Sequence, residues 1–374
     1  MTLNKLALVT AMSAVLTACG GSSSGGDNSS SSLSSSEASS SESSGSSQSS
    51  AGSEPTTGIL SCENANRIQG FAAMGDGTTG GAGGTEVTVT SGQELVAALS
   101  NKGSEPLTIY VDGTITPDGV SDGKFNIKDM NDVSIIGVED RALFDGIGIK
   151  ITRAHNVIIR NVTMRYVNIG DKDHISLEGP ATHIWIDHNT FYNSLDSEKD
   201  FYDELVSGKR SVDNVTISYN ILRDSWKTSL WGSSDSDNFE RRITFYGNHW
   251  SNVNSRLPLF RFGQAHIFNN YYQTVLSTAI NSRMGATIRI EGNVFEDVQN
   301  PIVAFYSEEV GYWDLEDNLF IDVTWTEGDG VTAGPNPEST VSYTPAYDYD
   351  KLSAEDTKAH VLNNAGAGVI TDCL

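Results

Sequence analysis

Between about residue 130 and residue 320, apolar and polar positions alternate in short runs, each closed by an asparagine and then a large apolar or aromatic residue. The phrase stands as NVIIRNVTM at Asn161, HIWIDHNTF at Asn189, NVTISYNIL at Asn220, RITFYGNHW at Asn248, AHIFNNYY at Asn270, ATIRIEGNVF at Asn293 and GYWDLEDNLF at Asn318. DVSIIGVED around Gly137 reads as an earlier copy without the asparagine. Period-2 alternation predicts a strand with one buried face, and such a strand is not stable alone. Phrases recurring at intervals of 22 to 31 residues predict a solenoid whose coils stack to bury those faces. The expected fold is all-β, a right-handed parallel β-helix. A β-sandwich also has alternating strands, but its turn signals recur at roughly 8–12 residues and nothing in it holds one amide in phase with a longer repeat.

Stacked coils would place the seven asparagines in one column, each amide bonded to the next coil. Trp185, Phe191, Phe268 and Phe295 are expected in the stacked core. Ser91 to Ser100 predicts a short helix, with Ser91 and Glu94 in capping-box spacing, that closes the N-terminal end of the solenoid. After about Thr326 the chain reads as an irregular polar segment leading to another short helix at Ser353 to Asn363.

The chain has 374 residues, and its beginning is of a different character. Residues 1–19 have Lys5 before an apolar run from Leu6 to Leu16, the pattern of an export signal and too short to span a bilayer. Leu16-Thr17-Ala18-Cys19 resembles the lipobox of bacterial lipoproteins, which implies acylation of Cys19 and an outer-membrane or cell-surface lipoprotein; cleavage without lipidation would leave the protein secreted. Residues 20–58 are dominated by Ser and bury too little to order themselves, so they read as a flexible tether. Residues 59–374 then form one large domain, expected to be a monomer with no membrane contact beyond the N-terminal anchor. Cys62 and Cys373 lie at its two edges, and in an oxidising compartment they are either bridged or free thiols, with a bridge favoured.

A net charge of −24 argues against nucleic acid as a partner, so any anionic substrate must be met by a local cationic site. Four polar segments interrupt the coils: GDKDHI with Asp171 and Asp173, FYDELVSGKR with Asp203, Glu204, Lys209 and Arg210, WKTS with Lys227, and SRLPLFR with Arg256 and Arg261. Loops at corresponding places on a solenoid converge on one face. Carboxylates from successive coils suit a hard cation such as Ca2+, and Arg and Lys suit carboxylate ligands.

GFAAMGDGTTGGAGG, HIWIDHNTF, WKTSLWGSSD and NSRLPLFRFGQAHIFNNYY, in that order, resemble signatures of the pectate lyases of polysaccharide lyase family 1, from Gly70 to about Phe320. The resemblance implies β-elimination of polygalacturonate with Ca2+ as cofactor. It implies Arg256 as the base, Lys227 and Arg261 as ligands of substrate carboxylates, and Asp173 and Asp203 as Ca2+ ligands, with Asp171 less firmly in that role. The chain departs from the family pattern at Ser207, where many members carry Asp; Glu204 is the candidate to compensate. His188 and His266 lie among core-like residues and, with Asp187, are expected to be structural.

Three other readings stay open. A pectin lyase acting on methylated polymer needs an aromatic cleft, which Trp226 and Trp231 could line. A hydrolase would use a carboxylate pair such as Asp171 and Asp173. A surface β-helix could bind polysaccharide without cleaving it.

Overall fold

A computed structural model describes residues 58–374, so the expected signal, Cys19 and all but Gly58 of the Ser-rich stretch lie outside the described residues. The domain is a parallel β-helix of three sheets. The first has ten strands, from Thr85–Val89 to Tyr312–Glu316; the second has nine, from Thr114–Ile115 to Leu319–Ile321; the third has nine, from Lys124–Lys128 to Gly330–Thr332. Each coil supplies one strand to each sheet in turn: Val212–Ser218, Ile221–Lys227 and Ser229–Trp231 make one coil, and Arg242–Tyr246, His249–Ser255 and Leu259–Arg261 the next. Among the described strands pairing is parallel except where Gly330–Thr332 ends the third sheet antiparallel to Ile302–Phe305, and an isolated antiparallel bridge joins Arg283 and Val310.

The alternation seen in the sequence becomes columns of identical orientation. Ile186, Ile217, Phe245, Ile267 and Ile290 stand in register and are fully buried. Burial of each such side chain contributes roughly 1.5–3 kcal/mol. In the second sheet Trp250, Tyr272, Phe295 and Phe320 form an aromatic column, with centroid separations of 5.9, 4.5 and 5.2 Å and nearly parallel planes. Trp185 and Phe268 are not part of this core. Their neighbours Ile184, Ile186 and Ile267 point inward, so period 2 turns Trp185 and Phe268 outward. They are buried there under other groups: the Arg160 guanidinium lies 4.7 Å over Trp185, and Phe268 stacks on Tyr246 at 5.0 Å and meets Tyr349 at 5.2 Å. The terminal segments cover this face, through Phe71 N donating to Thr244 Oγ1 (3.0 Å) and Tyr349 Oη to Glu291 Oε1 (2.5 Å).

The asparagine column holds six members, not seven. Nδ2 of Asn189, Asn220, Asn248, Asn270 and Asn293 each donates to Oδ1 of the next asparagine at 2.9–3.0 Å, ending at Asn318. At the first coil it is the Val162 amide that donates to Asn189 Oδ1 (3.0 Å). Asn161 therefore stands one residue early, in the left-handed position (φ 58°) that His188, Tyr219 and Asn269 occupy in later coils. Asparagine tolerates that conformation, which is why the phrase read alike. Asn248→Ala removes two donor contacts and leaves the amide and Nδ2 of Asn220 without their acceptor. It is expected to destabilise the domain by about 3 kcal/mol in denaturant unfolding; an unchanged midpoint would contradict the ladder's contribution.

Helix α1, Cys62–Ala65, precedes α2, Gly92–Ser100, which caps the solenoid. Ser91 Oγ accepts from Glu94 N (3.3 Å), the Glu94 carboxylate reaches back to Thr90 N (2.7 Å), and Leu95 and Leu99 enter the core. Helix α3, Ala354–Asn364, starts at the N-cap Ser353 and packs Val361 on Tyr271 and Val294 of the second sheet. A disulfide joins Cys62 and Cys373, whose Cα atoms are 4.9 Å apart.

Candidate active site

Outward positions of the third sheet align Lys150, Ser176, Ser207, Leu230, Leu259 and Asn281 in one row. The loops that enter this sheet from the second carry Asp171, Asp173, Asp203, Glu204 and Arg256, while Lys227 ends a second-sheet strand and Lys209 and Arg261 end third-sheet strands. Two adjoining cavities result, sharing Leu230 and Ser233. One, of about 270 Å³, is lined by Asp171, Asp173, Asp203, Glu204, Ser207 and Lys209. The other, of about 390 Å³, is lined by Lys199, Asn254, Arg256, Arg261, Arg283 and Tyr306. A groove with an acidic half and a basic half runs along the coils.

In the acidic half, Asp173 accepts from Glu204 N (3.0 Å) and Ser207 Oγ (2.5 Å). Desolvation pushes its carboxyl up to about 7 against the Ser207 hydrogen bond, with the Asp203 charge adding to the rise. Glu204 is 3% exposed; burial pushes it up to about 8 although Arg256 opposes the shift. Its Oε1 pairs with Arg256 Nη1, while its buried Oε2 has no hydrogen-bond partner. Asp171 is differently placed: Lys124 Nζ at 2.7 Å and Lys150 Nζ at 2.9 Å overcome its burial and hold it down at about 2. With Ser176 Oγ also donating (3.2 Å), both of its oxygens have partners, and it lines the same cavity as Asp173.

Lys227 Nζ reaches Asp203 (3.1 Å) and Asp200 (2.6 Å), and these acids raise its pKa against the effect of burial. Arg256 sits at φ 69° in the turn from His249–Ser255 to Leu259–Arg261, where its carbonyl accepts from Ser229 N (2.8 Å). Arg261 is held by Asp235 Oδ1 (2.6 Å) and Gly232 O (3.0 Å). Arg283 stands in register with Arg261, one coil on. Burial, with Arg261 adding, lowers it to about 10, and its Nε has no hydrogen-bond partner. Sequence reasoning passed over Arg283, and with it the counterions Asp200 and Asp235. A signal for Arg283 existed: it follows Arg261 by the same interval that separates Asn270 from Asn248.

His188 and His266 are on the first sheet, outside the groove, His188 Nδ1 at 2.6 Å from Asp187 and His266 Nε2 at 2.8 Å from Glu291. Trp231 is fully buried in the core, so one of the two aromatics that could have lined a neutral cleft does not face it. Among the described residues no three acidic, histidine or cysteine side chains converge at metal-ligand spacing. Lysines hold Asp171 and Asp203, and Arg256 holds Glu204. The donor set nonetheless fits a hard cation: Asp173, Asp203 and Glu204 crowd together, and one buried carboxylate oxygen has no partner. Chemically, the groove can bind a polyanion along its basic half and a cation in its acidic half.

A family model described as pectate lyase matches residues 54–370. The pectate trisaccharide-lyase of Bacillus licheniformis is 49% identical over 304 residues, covering 81% of this chain and 87% of that protein. A pectate lyase of Bacillus sp. N165, solved in complex with trigalacturonate, is 37% identical with a TM-score of 0.76, covering 81% of this chain and all of that one. Pectate lyase C of Erwinia chrysanthemi, solved with 30 mM Ca2+, is 28% identical with a TM-score of 0.71, covering 82% and 97% of the two chains.

Proposed function

The chain belongs to the pectate lyase family, and from that premise we propose that the groove of its third sheet cleaves α-1,4-linked polygalacturonate by β-elimination, with Arg256 as the base. One observation carries this: Arg256, Arg261 and Arg283 line one cavity, the acids Asp173, Asp203 and Glu204 line the adjoining one, and Lys227 is paired with Asp203. Each sugar of the polymer presents one carboxylate, and fork-shaped guanidinium groups on successive coils suit a row of them. The relatives' names, and the trigalacturonate bound to one of them, agree with that substrate.

Elimination passes the proton at C5, beside the uronate carboxylate, to Arg256, forms a C4–C5 double bond, and breaks the bond from C4 to the glycosidic oxygen, which leaves with the electron pair and takes a proton from solvent. Lys227, Arg261 and Arg283 bind carboxylates and set the sugar that reacts against Arg256. Negative charge that develops on the carboxylate during proton removal is met by these fixed cations, which stabilise the transition state more than the ground state. A guanidine accepts a proton only in its neutral form, which a carboxylate partner disfavours. The ion pair with Glu204 therefore opens before Arg256 acts. Asp173 and Asp203, with Glu204, would hold Ca2+, which when bound supplies a Lewis acid to the substrate carboxylate.

A polymeric substrate outside the cell accords with export, with Cys19 as anchor, residues 20–58 as tether, and a disulfide formed in an oxidising compartment. The test is the ultraviolet absorbance of the unsaturated product. Polygalacturonate is expected to yield it at least about tenfold faster than highly methylated pectin, because each lost carboxylate charge removes a charge-assisted bond of roughly 1.5–3 kcal/mol. Faster cleavage of the methylated polymer would favour the pectin lyase reading, and reducing ends without absorbance would favour a hydrolase.

A further inference from the structure

We propose that Glu204 is a shared carboxylate that couples cation binding to the freeing of Arg256: it clamps the guanidinium while the acidic cavity is empty and gives it up when a divalent cation enters. The inference rests on the reading of this groove as the pectate-cleaving site and concerns how its two halves communicate.

Three features of the chain support it. Two acids of one coil are held by cations of the next two coils, Asp203 by Lys227 and Glu204 by Arg256, so that Arg256 reaches back over an intervening strand, roughly 10 Å of stacking, to make its pair. Glu204 uses one oxygen for that pair; the other is buried and unpartnered, beside Asp173 and Asp203 in the acidic cavity. Finally, Ser207 carries no charge at the place where the resembled family has a carboxylate, and its hydroxyl is spent on Asp173. Glu204 is then the carboxylate of this coil that lines the acidic cavity beside Asp203 and can complete a cation site with it and Asp173. Its own backbone amide, donated to Asp173 at 3.0 Å, ties it to that place.

One carboxylate cannot serve a guanidinium and a divalent cation at full strength, and the two cations repel each other at short range. Linkage makes the effect reciprocal: the factor by which the cation weakens the Arg256–Glu204 pair is the factor by which the pair weakens cation binding. Arg256 is thus held idle until the cavity is filled. Glu204 is a positioning residue in this scheme, since it acts on the reaction through Arg256.

Calcium titration calorimetry on the full chain, without polymer, tests the coupling directly with Ca2+ alone as the probe. Four proteins are compared: wild type, Glu204→Gln, Arg256→Gln and the double variant, with thermal melts recorded for each. Arg256→Gln is expected to tighten Ca2+ binding by roughly tenfold, and Glu204→Gln to weaken it by about the same factor. In the Glu204→Gln background, Arg256→Gln should change the affinity by less than about twofold. Equal tightening in both backgrounds would make Arg256 a remote charge and overturn the proposal, as would a Glu204→Gln protein, or a wild type, in which Ca2+ binding owes nothing to Glu204. If the glutamine variant melts below the titration temperature, Glu204→Asp takes its place. It keeps the charge but not the reach, and Arg256→Gln should again lose its effect. The proposed function fails separately, through a wild type that shows the coupling yet yields no unsaturated product from polygalacturonate.

Discussion

Arg256→Lys is expected to lower kcat on polygalacturonate by about 1,000-fold, or about 4 kcal/mol, while KM changes less than about threefold. The substitution keeps a positive charge at the turn after Ser255, and Lys227, Arg261 and Arg283 still bind carboxylates. It removes the planar fork that spans the coils to Glu204 and replaces it with a compact ammonium on a different stem. A lysine amine is intrinsically easier to deprotonate than guanidine. A large loss would therefore show that the position of the guanidine nitrogens, not basicity alone, decides the rate. Polymer binding measured on the same variant separates this from a binding defect, and a kcat within tenfold of wild type would remove Arg256 from the role of base.

Chelating divalent cations is expected to reduce the rate on polygalacturonate by about 100-fold or more, with recovery when Ca2+ is returned. The reason is visible in the acidic half of the groove. Asp173 and Glu204 lie close together, and desolvation pushes each far above the usual carboxylate range, with the charge of neighbouring acids adding to the rise. A cation that enters beside them favours their charged forms and offsets the repulsion an anionic polymer would meet there. Asp173→Asn should raise the Ca2+ concentration that restores half of the activity by about tenfold. Undiminished cleavage in chelator would sink the metal-assisted mechanism while leaving Arg256 to be judged on its own test.

Much of the architecture was legible because a solenoid repeats in sequence what it repeats in space. Ile217, Phe245 and Ile267 could be assigned one column from period alone, and they form it. The capping helix after Ser91 was legible from its capping-box spacing, and the short helix expected from Ser353 forms over Ala354–Asn364. Legibility failed where one residue changed the phase or the face. Asn161 satisfies the same phrase as Asn189 but stands in the bend, because asparagine suits both the ladder and the left-handed turn. Trp185 and Phe268 read as core, yet alternation turns them outward, where Arg160 covers Trp185 and Tyr246 and Tyr349 cover Phe268.

The candidate site divides along the same line. Sequence by itself determined the coil period, the inward and outward faces, and which coils carry Asp173, Asp203, Lys227, Arg256 and Arg261, since each depends on local alternation and on interruptions of it. Only the tertiary structure decided who is paired with whom. Asp171 is taken by Lys124, 47 residues away, and Glu204 by Arg256, 52 residues away. It also set Arg283 beside Arg261. Such pairs depend on how far each loop carries its charge before the next strand locks into register, and coil lengths here vary enough that spacing in sequence does not fix proximity. Electrostatic partners are chosen over a few ångströms, and stacking, not sequence distance, sets those ångströms.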